Sequence, residues 1–224
     1  MPPSPAPEYR HLILDDPANR NPVTPQLVDD LSRALDEGVD AVVISAAPGN
    51  VFSAGGDLRL GPAGLRAMSD DLYKLYEAIS ISTTVVVIAA DGLAVGAGAQ
   101  LVLAADVRFV GKQFRFRCSD LTTGLAAGMW ALPAEVGRGR ALDLLLSGRT
   151  LEADDAKTWG LIDRLVPNPL EEALRFASEV ARSPAELRGR IKRGVASSSL
   201  SPKAIHAEAA AFQPPSPHGD HQGA

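Results

Sequence analysis

Two small-residue turns carry most of the chemistry that this sequence offers. Gly96-Ala97-Gly98-Ala99 follows the β-branched run Thr83 to Ile88, which reads as a buried strand, and opens an apolar helical pattern. The first N–H groups of a helix have no partner within it, and with only Gly and Ala side chains around them they can face an anionic oxygen. A second such turn, Ala54-Gly55-Gly56-Asp57, lies about forty residues earlier, after the apolar run Ala41 to Ser45 and the turn Pro48-Gly49-Asn50. Two backbone N–H groups converging on one oxygen form an oxyanion hole, which stabilises charge as it develops on a carbonyl.

Other chemistries fit less well. A dinucleotide site at Gly96-Ala97-Gly98 requires a third glycine where Leu101 stands, and an acidic ribose partner where the chain reads Gly111-Lys112-Gln113. His206, His218 and His221 fall in or near the C-terminal tail and His11 lies on a strand, so no metal constellation is apparent. The single Cys118 excludes an internal disulfide and fits a reducing compartment. A net charge of −5 argues against nucleic acid or an anionic membrane as partner. No stretch reaches the ~20 apolar residues of a membrane span, and Met1 to Pro7 lacks the pattern of a signal peptide, so a cytoplasmic location is expected.

The order of these segments, with FSAGGDL at Phe52 to Leu58 and then the second glycine-rich turn opening a helix, resembles the enoyl-CoA hydratase/isomerase (crotonase) superfamily. The likeness runs from Asn19 to Phe212 and includes RNPVTPQLVDDL and GRALDLLLSGRTLEADDAKTWGLIDRLVP. It implies an α/β fold, a crotonase-like spiral of ββα repeats with a C-terminal helical region. It also implies an acyl-CoA thioester substrate, no cofactor other than the coenzyme A that the substrate carries, no metal, and a homotrimer or dimer of trimers. By the same resemblance the backbone N–H groups of Gly56 and Ala97 bind the thioester oxygen. Ala54 and Leu58 lie against the adenine, and Arg59 stands near the ribose phosphate. Asp57 reads as a structural residue of its own loop.

The acid/base pair departs from the family. A hydratase uses two glutamates around one water; the first position here is Gln100 and the second is Asp120. An amide has no titratable proton near neutral pH, so Gln100 cannot act as a base, whereas Asp120 keeps a carboxylate on a shorter stem. A single carboxylate suits double-bond isomerisation, or dehydration of an activated substrate, better than hydration. The expected enzyme is therefore a hydratase/dehydratase or isomerase with altered acid/base residues. The alternative is a catalytically weak accessory subunit, acting with a partner enzyme in CoA-thioester biosynthesis such as dihydroxyphenylacetyl-CoA formation.

These residues need a scaffold, and at 224 residues with 46% hydrophobic content the chain can bury a sizeable core. We expect a disordered N-terminus over 1–7, a spiral core over 8–166, a helical region over 167–212 and a disordered tail over 213–224. Thr24 is a candidate N-cap with Pro25 at the first helical position and Gly38 as the stop. Pro62 to Ser82 carries apolar residues at helical spacing, and in the family this region covers the acyl pocket. Strands are expected at His11 to Leu14, Asp106 to Val110, Phe114 to Phe116 and Leu161 to Val166. Helices are expected at Gly139 to Leu146, Glu152 to Trp159, Pro169 to Arg182, Pro184 to Val195 and Pro202 to Phe212.

Overall fold

A computed structural model describes residues 9–120 and 125–199, together with residues 205, 209 and 210. The chain opens with strand β1 (Tyr9–Leu14) and helix α1 (Pro25–Asp36). It then repeats one unit: a strand, a short second strand, and a helix. The first repeat is β2 (Ala41–Ala46), β3 (Val51–Ser53) and α2 (Gly61–Ile81); the second is β4 (Val85–Ala90), β5 (Leu93–Val95) and α3 (Ala97–Ala104). The third starts with β6 (Val107–Val110) and β7 (Arg115–Arg117) and continues into the hairpin of β8 (Ser119–Asp120) with β9 (Leu125–Ala126). Helices α4 (Leu132–Val136) and α5 (Arg138–Ser147) follow, then β10 (Leu151–Glu152), α6 (Ala153–Trp159), β11 (Arg164–Leu165), α7 (Pro169–Ala181) and α8 (Ala185–Ser199).

Each repeat sends its first strand to one sheet and its second to another. The first sheet has the order β1-β2-β4-β6-β11 and is parallel throughout. In the second, β3, β5 and β7 run parallel and β10 closes antiparallel on β7. This is the expected α/β spiral.

The apolar runs at 41–44 and 85–90 are continuous because both faces of the first sheet are covered. Val42, Ile44, Val86 and Ile88 face the main core, while Ala41, Val43, Val85, Val87 and Ala89 pack on the other side with Ala173 and Ala177 of α7. Side chains alternate across a strand, so the pairing of Val43 with Val87 and Ile44 with Ile88 keeps each set on its own face.

Helix α1 starts as expected: the Thr24 hydroxyl accepts the Leu27 N–H at 3.3 Å and Pro25 fills the first helical position. Gly148 and Gly160 end α5 and α6 in the left-handed conformation. Three expectations need correction. The strand read at Thr83 to Ile88 occupies Val85–Ala90, because Thr84 turns its hydroxyl to the Val39 carbonyl at 2.7 Å before the strand begins. Strand β5 was not anticipated, since its three residues merge with the small-residue segment that follows. Only Arg164–Leu165 of the 161–166 run is strand; Leu161 and Ile162 instead bury their side chains in the main core. Residues 1–7 and 213–224 lie outside the described residues, as does most of 202–212.

Buried charges tie the helices to the first sheet, and periodicity gave no sign of them. Arg108 on β6 pairs with both carboxylate oxygens of Glu135 on α4, at 2.8 and 3.2 Å. It also donates to the carbonyls of Val102, Leu103, Ala105 and Leu161. On α8, Arg188 reaches Asp40 at 2.5 Å and Lys192 reaches Asp106 at 2.6 Å. Burial pushes the Asp106 carboxyl up, against the pull of the Lys192 ammonium and the Val86 N–H.

Candidate active site

Strands β3 and β5 are parallel neighbours, with Ser53 paired to Ala94, so the turns that leave their carboxyl ends emerge side by side. The contact between the turns is backbone to backbone. Gly55 has φ near +109°, and a Cβ there would stand 3.3 Å from the Val95 carbonyl oxygen and 3.7 Å from the Ala97 nitrogen. Gly98, one residue into α3, lies so close to β3 that a Cβ would meet the Ser53 Cβ at 2.5 Å and the Ser53 carbonyl oxygen at 2.8 Å.

The hydrogen bonds of the first turn use the N–H groups on either side of Gly56, and those of the second use Gly96 and Gln100 on either side of the start of α3. In the first turn, Ala54 N–H donates to the Arg20 carbonyl (3.0 Å), Gly55 N–H to the Ser53 hydroxyl (3.3 Å) and Asp57 N–H to the Val23 carbonyl (3.2 Å). In the second, Gly96 N–H donates to the Arg117 carbonyl (3.3 Å) and Gln100 N–H to the Gly96 carbonyl (2.9 Å). Among the described residues, the N–H group of Gly56 and those of Ala97, Gly98 and Ala99 have no hydrogen-bond partner; of these residues, Gly56 and Ala97 line the cavity described next. Ala97 is the first residue of α3, so its N–H is an orphan of the helix start.

Gly56 and Ala97 line one cavity of about 380 Å³, together with Ala54, Gly55, Gly96 and Gln100. Helix α2 covers it with Leu65, Met68 and Leu72. A Cβ on Gly56 would come within 2.7 Å of the Met68 methyl, so the wall fits tightly over the bare backbone. The cavity thus has an apolar roof and two free N–H groups, the surroundings in which a hydrogen bond to a developing anion is strongest.

At the mouth, Leu58 is 72% exposed and Arg59 lies beside it. The Arg59 guanidinium binds Asp57 through Nε (2.7 Å) and a terminal nitrogen (2.8 Å) and reaches Asp16 at 3.3 Å. These contacts with Arg59 hold the Asp57 carboxyl below the usual carboxylate range, although its burial opposes the shift. Asp57 also accepts the Arg59 N–H at 3.1 Å and caps the short turn 58–60.

Gln100 is 5% exposed. Its carbonyl oxygen accepts the indole N–H of Trp130 at 3.2 Å; Trp130 in turn stacks on Tyr76, with ring centroids 5.5 Å apart. The backbone of Asp120 belongs to β8 and pairs with Leu125, while its side chain lies outside the described residues.

Sequence reasoning missed Trp130, thirty residues from Gln100. It also missed Asn19, Arg20 and Pro22, which line the cavity. Arg20 and Asn21 hold left-handed backbone (φ 66° and 52°), and the buried Asn21 side chain donates to the Val51 carbonyl at 2.9 Å. The adjacent Asn19-Arg20-Asn21-Pro22 was a usable signal, because asparagine tolerates left-handed backbone and proline ends a turn.

The enoyl-CoA hydratase/isomerase family profile matches residues 11–222. A Thermus thermophilus protein described as an enoyl-CoA hydratase is 37% identical over 194 residues, covering 79% of this chain and 76% of that protein. The human peroxisomal bifunctional enzyme is 35% identical over 177 residues, covering 75% of this chain but 24% of that larger protein. A Streptomyces coelicolor structure described as an enoyl-CoA hydratase superposes with a TM-score of 0.75 at 28% identity, covering 94% of this chain and 88% of that one. The enoyl-CoA hydratase of Bacillus anthracis, at 24% identity and a TM-score of 0.76, shares the fold over 90% of this chain and 85% of its own. With the profile spanning nearly the whole sequence and the two adjacent turns in place, the chain belongs to the enoyl-CoA hydratase/isomerase family of the crotonase superfamily.

Proposed function

We propose that this protein binds an acyl-CoA thioester with its carbonyl oxygen between the N–H groups of Gly56 and Ala97, and acts through the enolate formed when a Cα proton leaves. The observation that carries this reading is the pair of N–H groups, without a partner among the described residues, on one apolar-roofed cavity. As the Cα–H bond breaks, its electron pair moves onto the thioester oxygen, and the two donors stabilise the charge there. Asp120 is the carboxylate that takes the proton. Gln100 cannot share that task, which favours a one-base reaction: a 1,3 proton shift that moves a double bond, or elimination from a substrate whose Cα is already acidic. Ala54, Leu58 and Arg59 would flank the CoA nucleotide. A cytoplasmic homotrimer or dimer of trimers is the proposed form.

A second reading rests on Gln100, a buried neutral amide held by Trp130 where a hydratase needs a carboxylate. That residue favours an accessory subunit, one that binds a CoA thioester and passes it to a partner enzyme in a biosynthetic pathway. A panel of acyl-CoA thioesters in deuterated water separates the two. Deuterium entering Cα above the buffer rate supports the enzyme, tight binding without exchange supports the accessory subunit, and absence of binding by calorimetry overturns both.

A further inference from the structure

We propose that the Gln100 amide is a fixed hydrogen-bond donor to the substrate, and that the acyl group accepted carries a carbonyl oxygen at Cβ, as in a β-oxoacyl thioester. This rests on the thioester reading above and names the substrate class for that site. An indole N–H can only donate, so the Gln100 atom 3.2 Å from Trp130 Nε1 must be the amide oxygen. The orientation of the amide is therefore set by chemistry. Trp130 is itself held, buried and stacked on Tyr76, so the amide has little freedom to turn over.

With the oxygen engaged, the Nε2 group has no partner among the described residues, and Gln100 faces the cavity although it is 5% exposed. Gln100 Nε2 is not among the fully buried side-chain atoms that lack a partner, so its two N–H groups open onto the cavity, where a ligand oxygen can accept from them. Gln100 stands three residues after Ala97, so the two side chains share one face of α3, and both residues line the cavity. A thioester oxygen on Ala97 then places Cβ, two bonds from the thioester carbonyl carbon, on the Gln100 side of the cavity. The lining cations, Arg20 and Arg59, flank the first turn at the mouth. The inner polar partner is neutral, which favours a ketone oxygen over a carboxylate.

Acetoacetyl-CoA and butyryl-CoA differ at Cβ by a carbonyl in place of a methylene and are close in shape. Calorimetric titration of each into the wild-type protein should show acetoacetyl-CoA binding ~5- to 10-fold more tightly, as one satisfied buried hydrogen bond predicts. Gln100→Met should bring the two affinities within about 2-fold by weakening acetoacetyl-CoA alone. Because that variant removes the acceptor that the Trp130 N–H uses, the double variant Gln100→Met/Trp130→Phe, apolar at both positions, gives the same comparison without an indole donor facing an apolar side chain. Equal binding of the two thioesters by the wild type, or a preference that survives in both variants, overturns the donor assignment and leaves the thioester reading standing. Failure of both thioesters to bind overturns the thioester reading itself.

Discussion

Gly98→Ala places one methyl group between the two turns, where the proposed oxyanion hole is most sensitive to spacing. The new Cβ would lie 2.5 Å from the Ser53 Cβ and 2.8 Å from both the Ser53 carbonyl and hydroxyl oxygens. Carbon atoms settle at ~3.5–4.0 Å, so the start of α3 and the end of β3 must separate by ~1 Å. Ala97 is bonded to Gly98, and Gly56 follows Ser53 by three residues, so the separation acts directly on the distance between the two donors. Overpacking of this size costs ~1–3 kcal/mol, which lowers the melting temperature by several degrees and leaves the protein folded at 25 °C. A misplacement of ~1 Å at a reacting centre costs ~10²-fold in rate. The assay is Cα proton–deuterium exchange of a bound thioester, followed by NMR, alongside a thermal melt of the same preparation. The expected result is an exchange rate ~10²-fold lower with a modest loss of stability. Adding Ser53→Gly removes the Cβ and hydroxyl contacts but leaves the carbonyl, so recovery should be partial. Exchange within 2-fold of wild type in a destabilised Gly98→Ala protein would refute the claim that the spacing of the turns sets the rate.

Asp120→Asn should lower exchange ~10²-fold or more while thioester affinity stays within a few-fold, since the oxygen's donors are backbone; calorimetry and exchange on one preparation check this. Arg108→Met should lower unfolding free energy by ~3 kcal/mol or more in urea titration, because it strands Glu135 and four backbone carbonyls. Burial lowers the pKa of His11, whose ring nitrogen lies 2.7 Å from the Ser45 hydroxyl. The unfolded chain therefore takes up this proton first, and stability should fall as pH drops below ~6.5 toward the lowered folded value, with no contribution above that window. Urea midpoints between pH 5 and 8 should show the slope in wild type and a shallower one in His11→Gln.

The sequence made legible what local physics decides. Thr24 and Pro25 announce a helix start, Gly148 and Gly160 announce helix ends, and the two glycine-rich turns announce free N–H groups, because cap and turn preferences act within a few residues. It did not show what joins distant segments. Trp130 reaches Gln100 across thirty residues, Arg59 reaches Asp16 across forty-three, and Arg108 reaches Glu135 across twenty-seven. The amide of Gln100 could be read as a missing base, but its orientation could not, since that depends on the indole above it. Strand β5 escaped because three residues are too few to show alternation.

The proposed chemistry depends on a thioester oxygen resting between the Gly56 and Ala97 N–H groups. Infrared difference spectroscopy of an acyl-CoA labelled with ¹³C at the thioester carbonyl reads that bond directly. Two hydrogen bonds in an apolar-roofed cavity draw electron density onto the oxygen and weaken the C=O bond. The carbonyl band should lie at lower wavenumber in the complex than in water, with the shift reduced in Gly98→Ala. A bound thioester whose carbonyl band stays at its solution position would contradict it.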